Sequence, residues 1–493
     1  MQQQESKRLP AIVMSALRGG SGKTILSVGI IAAWARLGKK KVAPFKKGPD
    51  YIDAGWLALA AGRPCYNLDT FLIDEPDILS SFHFRSRKSD VVFIEGNRGL
   101  YDCIDVTGDT STAELAKLLH APIILCLDCT KTTRTMAAVV MGCTMFDPDA
   151  AIKGIILNRV AGPRHRNILK NSIEHHCGIP VIGALPKLDQ QIFPERHMGL
   201  VPTPEHHWAK DSIDSAASLV SENIDLDALA RIAEDSGKAD DNQDVSNERE
   251  SITLTHYHED DSIKNEQVTP ENKIPENEKP IIGVIRDSSF QFYYPENIDA
   301  LKSKGAKITF FSPLANDVLP ELDALYIGGG FPETHAKQLS ENLGFRNEIK
   351  RLAEDGLPVY AECGGLMYLG EKLVLDEKSF PMTGILPIVF GFSQKPQGHG
   401  YTIVEVAKEN PYYKPGTIIK GHEFHYSKVL SWRGDKDSSL VFAMKRGKGI
   451  TDKKDGALYK NVLATYTHIH ALGIPSWAEA LVRLARSYKK SKE

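Results

Sequence analysis

The chain has 493 residues, 42% of them hydrophobic and 25% charged, with a formal net charge of −3 at pH 7. That length is enough for two or three domains with separate cores, and so small a net charge argues against wholesale nucleic-acid binding. Seven scattered cysteines do not make a disulfide framework and point to a reducing compartment. No apolar run approaches the about 18 residues of a membrane span. The polar start MQQQESKRLP lacks the apolar stretch of a signal peptide. The expected location is the cytoplasm.

The first half alternates short apolar strands with helical stretches. Strands are expected at Ala11–Leu17, Lys41–Phe45, Val91–Glu95, Pro122–Asp128, Gly154–Asn158 and Val181–Leu185, with a helix at Lys23–Leu37. Such alternation implies parallel βαβ units and an α/β doubly wound sheet. Between the first strand and that helix lies LRGGSGKT, Leu17–Thr24. Backbone amides of such a loop, together with a helix N-terminus, bind phosphate. Lys23 can reach the β- and γ-phosphates, and the Thr24 hydroxyl can ligate Mg²⁺. The strict G-x-x-x-x-G-K-[ST] spacing fails at Leu17, and the loop resembles instead the variant of the dethiobiotin-synthetase and MinD-like ATPases. ATP is expected to bind through Arg18, Gly19, Gly20, Ser21, Gly22, Lys23 and Thr24. Arg18, where MinD-like members carry a signature lysine, has two readings: a brace on a phosphate, also across a homodimer, or a solvated charge.

Three further segments belong with this loop. FKKGPDYIDAGW (Phe45–Trp56) combines two lysines with two acids, DVVFIEGNRGLYD (Asp90–Asp102) delivers Glu95 at a strand end, and GIILNRVAG (Gly154–Gly162) delivers Asn158. Ligands of open α/β sheets sit at such strand ends. The expectation is Mg²⁺ on Thr24, Glu95 and Asp50 or Asp53, with Asn158 reading the adenine edge. Asp50 and Asp53 also fit as turn formers beside Pro49. Glu95 closes a wholly apolar strand, where an unpaired charge is expensive. Cys126 and Cys129 form a CxxC at the end of an apolar run with no second pair, and are read as structural.

Residues 236–279 are acidic, polar and nearly free of large aliphatics. Such a segment buries too little apolar surface to offset chain entropy and reads as a disordered linker. It separates a domain at 1–235 from a second α/β domain at 280–493, which opens on the strand Pro280–Ile285. There LYIGGGFPETHA, Leu325–Ala336, runs an apolar strand into Gly328, Gly329 and Gly330. Amides of such a loop can form an oxyanion hole. DGLPVYAECGGLMYLGE, residues 355–371, gives a short buried strand, a turn at Glu362-Cys363-Gly364-Gly365 and a helix. Most cysteines are small buried hydrophobes. A cysteine on a strand-to-helix turn, however, has the placement of a nucleophile, and a helix N-terminus lowers a thiol pKa. The base that such a nucleophile needs comes in LATYTHIHAL, Leu463–Leu472, where His468 and His470 share one face of a strand. Nucleophile, amide loop and histidine are the parts of an acyl-transfer site.

The second half resembles a class I glutamine amidotransferase of the cobyric-acid-synthase type, and the full chain resembles the cobyrinate a,c-diamide synthase family. The matching stretches are RGGSGKT, FKKGPDYIDAGW, RPCYNLD, IEGNRGLYD, NRVAG, ERHMGLVP, FYYPEN, GGGFPE, ECGGLMYL and YTHIH. They occur in the family's order and cover the chain outside the linker. The resemblance implies ATP-dependent amidation of the a- and c-acetate carboxylates of a corrin-type macrocycle, with glutamine as ammonia donor. It assigns the nucleophile to Cys363, the histidine that activates it to His468, and the glutamine and oxyanion site to Gly328, Gly329, Gly330 and Gly364. Ordinary class I members carry a Glu two residues after that histidine; this chain has His470. A polyanionic macrocycle suits cationic neighbours, and Lys46, Lys47, Arg63, Arg98 and Arg134 are candidates beside Tyr51. Each of those cations also reads as a solvated surface charge. Amidation of Ni-sirohydrochlorin is the nearest alternative, and cobyric acid synthase, whose late motif usually reads Y-L-H-G, ranks below it. A MinD-like ATPase switch is the reading from another class.

Overall fold

The computed structural model describes residues 9–187, 195–196, 199–203, 208–235, 275, 278–316, 318–434 and 438–492. These belong to two compact units, Met1–Thr253 and Leu254–Glu493. Of the expected linker, 236–279, only residues 275, 278 and 279 are described.

The first unit is built on β1 (Ala11–Ala16), β2 (Val42–Lys47), β3 (Tyr66–Leu68), β4 (Val91–Glu95), β5 (Ile123–Asp128), β6 (Ile152–Val160) and β7 (Val181–Pro186). They form a seven-stranded sheet in the order β3-β2-β4-β1-β5-β6-β7, and every neighbouring pair is parallel. β1, β2 and β4 are buried at every position, as parallel strands covered on both faces are. The reversal of strand order between β1 and β4 opens a crevice at their C-terminal ends, where ligands of such sheets bind. β3 is absent from the sequence-based expectation, because three residues carry no periodic signal. The expected helix at Lys23–Leu37 is α-helical over α1 (Lys23–Ala32) and closes as a π-helical turn at Ala33–Leu37. A second helix, α2 (Ile52–Ala61), follows β2. A short antiparallel pair, β8 (Glu195–Arg196) and β9 (Gly199–Leu200), lies within the ERHMGLVP stretch. Just beyond it the buried Trp56 of α2 donates its indole N–H to the Val201 carbonyl at 3.0 Å.

The second unit begins with β10 (Ile281–Ile285), β11 (Lys307–Phe311), β12 (Ala324–Ile327) and β13 (Val359–Glu362). Next come β14 (Lys372–Leu375), β15 (Lys378–Pro381), β16 (Ile388–Phe392), β17 (Gly398–Val406), β18 (Ile418–His425) and β19 (Ser427–Trp432). The last strands are β20 (Ser438–Arg446), β21 (Lys454–Tyr459), β22 (Val462–Thr465) and β23 (His468–Ile469). Ten of these form one sheet in the order β11-β10-β12-β13-β22-β21-β20-β17-β18-β23. It is parallel from β11 to β22 and antiparallel from there on. The strands β15-β14-β16-β19 make a smaller sheet. Alternate residues of the parallel strands feed two cores. Leu325, Ile327, Val359 and Ala361 enter one, while Ile282, Val284, Tyr326 and Tyr360 enter the other with Trp477. That is the two-residue period of a strand covered on both sides. The antiparallel extension is an addition to the expected α/β unit, and it matters because β18 brings His422 opposite His468 of β23.

Candidate functional site

Two sites take shape, one in each unit. In the first, Gly22 precedes α1 with φ of 85°, in the left-handed region that glycine enters at no cost. A Cβ placed on Gly19 or Gly20 would meet no atom within 4 Å, so the loop is open where a phosphate would lie. Lys23 Nζ donates to the Arg98 carbonyl at 2.8 Å, and burial lowers the Lys23 pKa. The Thr24 hydroxyl donates to Glu95 Oε1 at 2.9 Å. Lys46, the penultimate residue of β2, is buried and donates to Asp53 Oδ2 at 2.8 Å and Glu95 Oε1 at 2.7 Å. Burial pushes its ammonium down, but Asp53, Glu95 and Asp50 outweigh that and hold it well above the ordinary lysine value.

The two aspartates of FKKGPDYID separate in role. Asp50 Oδ1 accepts the Asp53 amide at 2.9 Å, and Asp50 Oδ2 stands 3.9 Å from Lys46 Nζ. Burial and the neighbouring Asp53 charge raise the Asp50 pKa. Desolvation pushes Asp53 up too, yet the Lys46 charge and hydrogen bond outweigh it and hold it below the usual range. Asp50 thus holds the turn, and Asp53 is the closer partner of Lys46. Glu95 Oε2 is buried with no hydrogen-bond partner among the described residues, as expected of a ligand atom awaiting a cation. As they stand, the carboxylates converge on Lys46, and no group of three or more His, Cys, Asp or Glu among the described residues has metal-binding geometry.

Other expected residues are placed differently. Asn158 donates from Nδ2 to the Ser21 carbonyl at 2.8 Å and accepts the Arg159 amide on Oδ1 at 2.9 Å. Its amide thus braces the loop. Arg18 is 73% exposed in its side chain and reaches Asp128 at 3.4 Å, where Arg159 pairs more closely at 2.6 Å. Lys47 is buried and donates to the Thr110 carbonyl at 2.5 Å, so it is committed internally. Arg63 lies past the C-terminal end of α2 and donates to the Arg85 carbonyl at 3.0 Å. Ten helical residues, about 15 Å, separate that end of α2 from the end beside Asp53, so Arg63 stands apart from the cluster. Tyr51 is the residue before α2, and Arg98 is exposed on the loop after β4. Arg134 directly precedes the helix Thr135–Phe146. Burial pushes both Cys126 and Cys129 up to about 12, which fits their reading as structural.

In the second unit, Cys363 follows β13 and precedes the helix Gly364–Leu369 with φ of 46° and ψ of −95°. Positive φ at a non-glycine residue is strained backbone of the kind that clusters at functional sites. The turn is fixed by the Cys363 amide donating to the Thr465 carbonyl at 2.8 Å. Glycines are required beside it: a Cβ on Gly364 would lie 2.9 Å from the Gly330 nitrogen, and one on Gly365 2.5 Å from the Ile327 oxygen. The expected lowering of the thiol pKa does not occur. Burial, with Glu333, Glu362 and Glu423 nearby, raises it and outweighs the Gly364 amide at the start of a short helix.

His468 is 2% exposed and rests on the glycine loop, where a Cβ on Gly329 would come within 2.4 Å of its Cε1. Its ring stacks on His422 at 4.8 Å and 16°, and its Nδ1 stands 3.8 Å from Glu362 Oε2. Burial holds His422 well below the ordinary histidine value, so it stacks as a neutral ring. Of the three loop glycines, Gly328 has its amide taken by the Tyr293 hydroxyl at 2.7 Å, which removes it as an oxyanion donor. His470 does not continue the strand, which ends at Ile469. Its Nδ1 accepts the Leu472 amide at 3.2 Å, and its Nε2 lies 3.6 Å from Glu296 Oε1.

Several organising residues escape sequence reasoning. Buried Asp455 accepts from the Thr465 and Thr467 hydroxyls and from the amides of Gly456, Tyr466 and Thr467. It thus shapes the turn that carries His468. Asn297 ties FYYPEN to the same turn, accepting the Ala471 amide at 2.7 Å and donating to the Ile469 carbonyl at 3.1 Å. A signal existed for His422: GHEFHYS packs two histidines and an acid into a strand.

Fold and sites define a nucleotide-binding domain carried in one chain with a glutamine amidotransferase domain. Residues 12–201 match the family model described as the CobQ/CobB/MinD/ParA nucleotide binding domain, and residues 281–475 match the CobB/CobQ-like glutamine amidotransferase domain. Over 97% of its length the chain is 39% identical to the cobyrinate a,c-diamide synthase of Magnetococcus marinus, covering 98% of that protein. It is 38% identical over 98% of its length to the protein of the same name from Archaeoglobus fulgidus, again covering 98% of it. The counterpart from Methanobrevibacter smithii is 38% identical over 96% of the chain and is covered to 99%. The chain belongs to the cobyrinate a,c-diamide synthase family.

Proposed function

We propose that the protein amidates the a- and c-acetate carboxylates of cobyrinate in two ATP-dependent steps, with ammonia drawn from glutamine. The observation that carries this reading is the pairing, in one chain, of the Lys46–Asp53–Glu95 cluster behind an open phosphate loop with a cysteine elbow whose amide bonds Thr465, three residues before His468. A carboxylate is a poor electrophile, and phosphorylation by ATP converts it to an acyl phosphate with a good leaving group. Ammonia then displaces phosphate to give the amide. The loop from Gly19 to Thr24 would cradle the ATP phosphates, with Lys23 placed for the transferred group and Asn158 keeping the loop's shape. Thr24, Asp53 and Glu95 are oxygen donors of the kind Mg²⁺ takes, and the metal there would offset charge on the phosphates. Tyr51 and Arg98 are the proposed contacts to the anionic macrocycle, while the buried Lys46 is held by Asp53 and Glu95.

In the second unit, the buried Cys363 thiol is protonated at rest. His468 takes its proton as sulfur attacks the glutamine carboxamide, then returns it to the departing nitrogen, and water hydrolyses the γ-glutamyl thioester to glutamate. Gly330 and Gly364 would supply the oxyanion amides, with Gly329 seating the histidine. Two domains, 1–235 and 280–493, joined by the segment 236–279, fit that division of labour. A homodimer, if formed, would use the exposed Arg18. No helix among the described residues is long and apolar enough to cross a membrane. A bare ATPase switch has no use for an amidotransferase domain.

The test is mass spectrometry of macrocycle products after incubation with ATP, Mg²⁺ and glutamine. Conversion of cobyrinic acid to its diamide is expected. Conversion of Ni-sirohydrochlorin instead would move the substrate, and hydrolysis of ATP with neither macrocycle changed would remove the synthetase reading.

A further inference from the structure

We propose that Glu362 is the positioning residue of His468, supplying from the strand before the nucleophile the carboxylate that ordinary class I amidotransferases carry two residues after the histidine. The inference rests on the glutaminase reading of Cys363 and His468. Glu362 ends β13 and adjoins Cys363 in the chain, and both it and His468 are buried. Its Oε2 stands 3.8 Å from His468 Nδ1, an ion-pair separation. A buried carboxylate is costly without a partner, and its ion-pair partner among the described residues is His468.

The carboxylate is held from both ends. Oε1 accepts the amide of Ile469, the residue after His468, at 3.0 Å. Oε2 accepts the Tyr326 hydroxyl at 3.0 Å, and that hydroxyl in turn accepts from Asn297 at 3.2 Å. Strand β13 thus fixes the acid, and the acid fixes the backbone on which the histidine rides. On the other side of the imidazole, His422 stacks nearly parallel and sets the plane of the ring.

His470 is engaged elsewhere. Its Nδ1 accepts the Leu472 amide, so the ring proton lies on Nε2, which faces Glu296 and not His468. Its ring packs on Tyr294 at 4.7 Å. The residue standing where ordinary members keep their acid is therefore a structural histidine with an acid of its own.

A carboxylate beside Nδ1 favours the tautomer that carries its proton there. Nε2 is then left with its lone pair, ready for the Cys363 proton. When that proton moves from sulfur to Nε2 and sulfur bonds the carboxamide carbon, the imidazolium is stabilised by the same carboxylate. Return of the proton to nitrogen as the C–N bond breaks restores the starting state.

The test uses the full chain and measures kcat and KM for glutamine hydrolysis, with ammonium-dependent amide formation as the control of integrity. Glu362→Gln is expected to lower kcat about 100-fold while KM for glutamine and the ammonium-dependent rate stay as they were. In a His468→Ala background the same change should do nothing further, because both act through one imidazole. Unchanged kcat in Glu362→Gln, or an additional loss on top of His468→Ala, overturns the proposal. Should Glu362→Gln fail to fold, Glu362→Asp keeps the charge but withdraws it by one methylene. A fall in its kcat at constant KM supports the proposal, and an unchanged kcat overturns it. Continued hydrolysis by Cys363→Ala and His468→Ala themselves would instead remove the glutaminase reading, and this inference with it.

Discussion

The two sites handle charge in opposite ways. Around the phosphate loop, charge is arranged in advance. A buried ammonium spans Asp53 and Glu95, a second lysine stands behind the loop, and the glycines in front are open. Around Cys363 nothing is open. The thiol is 4% exposed, its backbone is strained, and burial, with three carboxylates nearby, raises its pKa. The first site suits a large polyanion that brings its own charge. The second suits a small neutral amide and keeps its nucleophile protonated until a base is aligned. Positioning therefore carries more of the burden at the second site, and electrostatics more at the first.

The largest expected effect is at Lys46. Lys46→Ala leaves the buried Glu95 without its cation, and losing one partner of a buried ion pair costs about 3–5 kcal/mol. Denaturant unfolding should register that loss, and amide formation should vanish with glutamine and with ammonium alike. Gly329→Ala sharpens the contrast. Its Cβ would displace the His468 ring, so glutamine hydrolysis should fall about 100-fold, as misplacement by about 1 Å does, while ammonium-dependent synthesis persists. Steady-state assays with each nitrogen source separate the two.

Asp455→Asn is milder. It swaps one acceptor oxygen for a donor among the bonds that shape residues 465–467, which costs about 2 kcal/mol for a charged acceptor. Thermal unfolding and glutamine hydrolysis should both register it. The smallest effect is at Asp128 in the first unit. Burial pushes its carboxyl up, but Thr130 and Arg159 outweigh that and lower it to about 2. A depressed carboxylate stabilises the fold above its unfolded pKa of about 4. That contribution fades as pH falls through about 2. The Tm gap between the native chain and Asp128→Asn should be full at neutral pH and close on acidification.

Much of this was legible in the residues. β4 was expected at Val91–Glu95 and stands there, because a wholly apolar run ending in an acid has one reading in a parallel sheet. The elbow at Cys363 was legible from its glycines, whose missing side chains answer to backbone contacts. What failed depended on pairing over long distances. Glu362 meets Ile469 across 107 positions, and no local pattern encodes that. The bond of the Asn158 amide to Ser21, 137 residues away, is of the same long-range kind. The thiol pKa was misjudged for a related reason: the helix after Cys363 is six residues long, and burial dominates its end.

The most direct test of the account compares the native chain with Cys363→Ala, offering cobyrinic acid, ATP and Mg²⁺ with either glutamine or ammonium salt. The account predicts diamide from the native chain with both nitrogen sources, and from Cys363→Ala with ammonium alone. Diamide formed by Cys363→Ala from glutamine, or no amide from either source in the native chain, would contradict it.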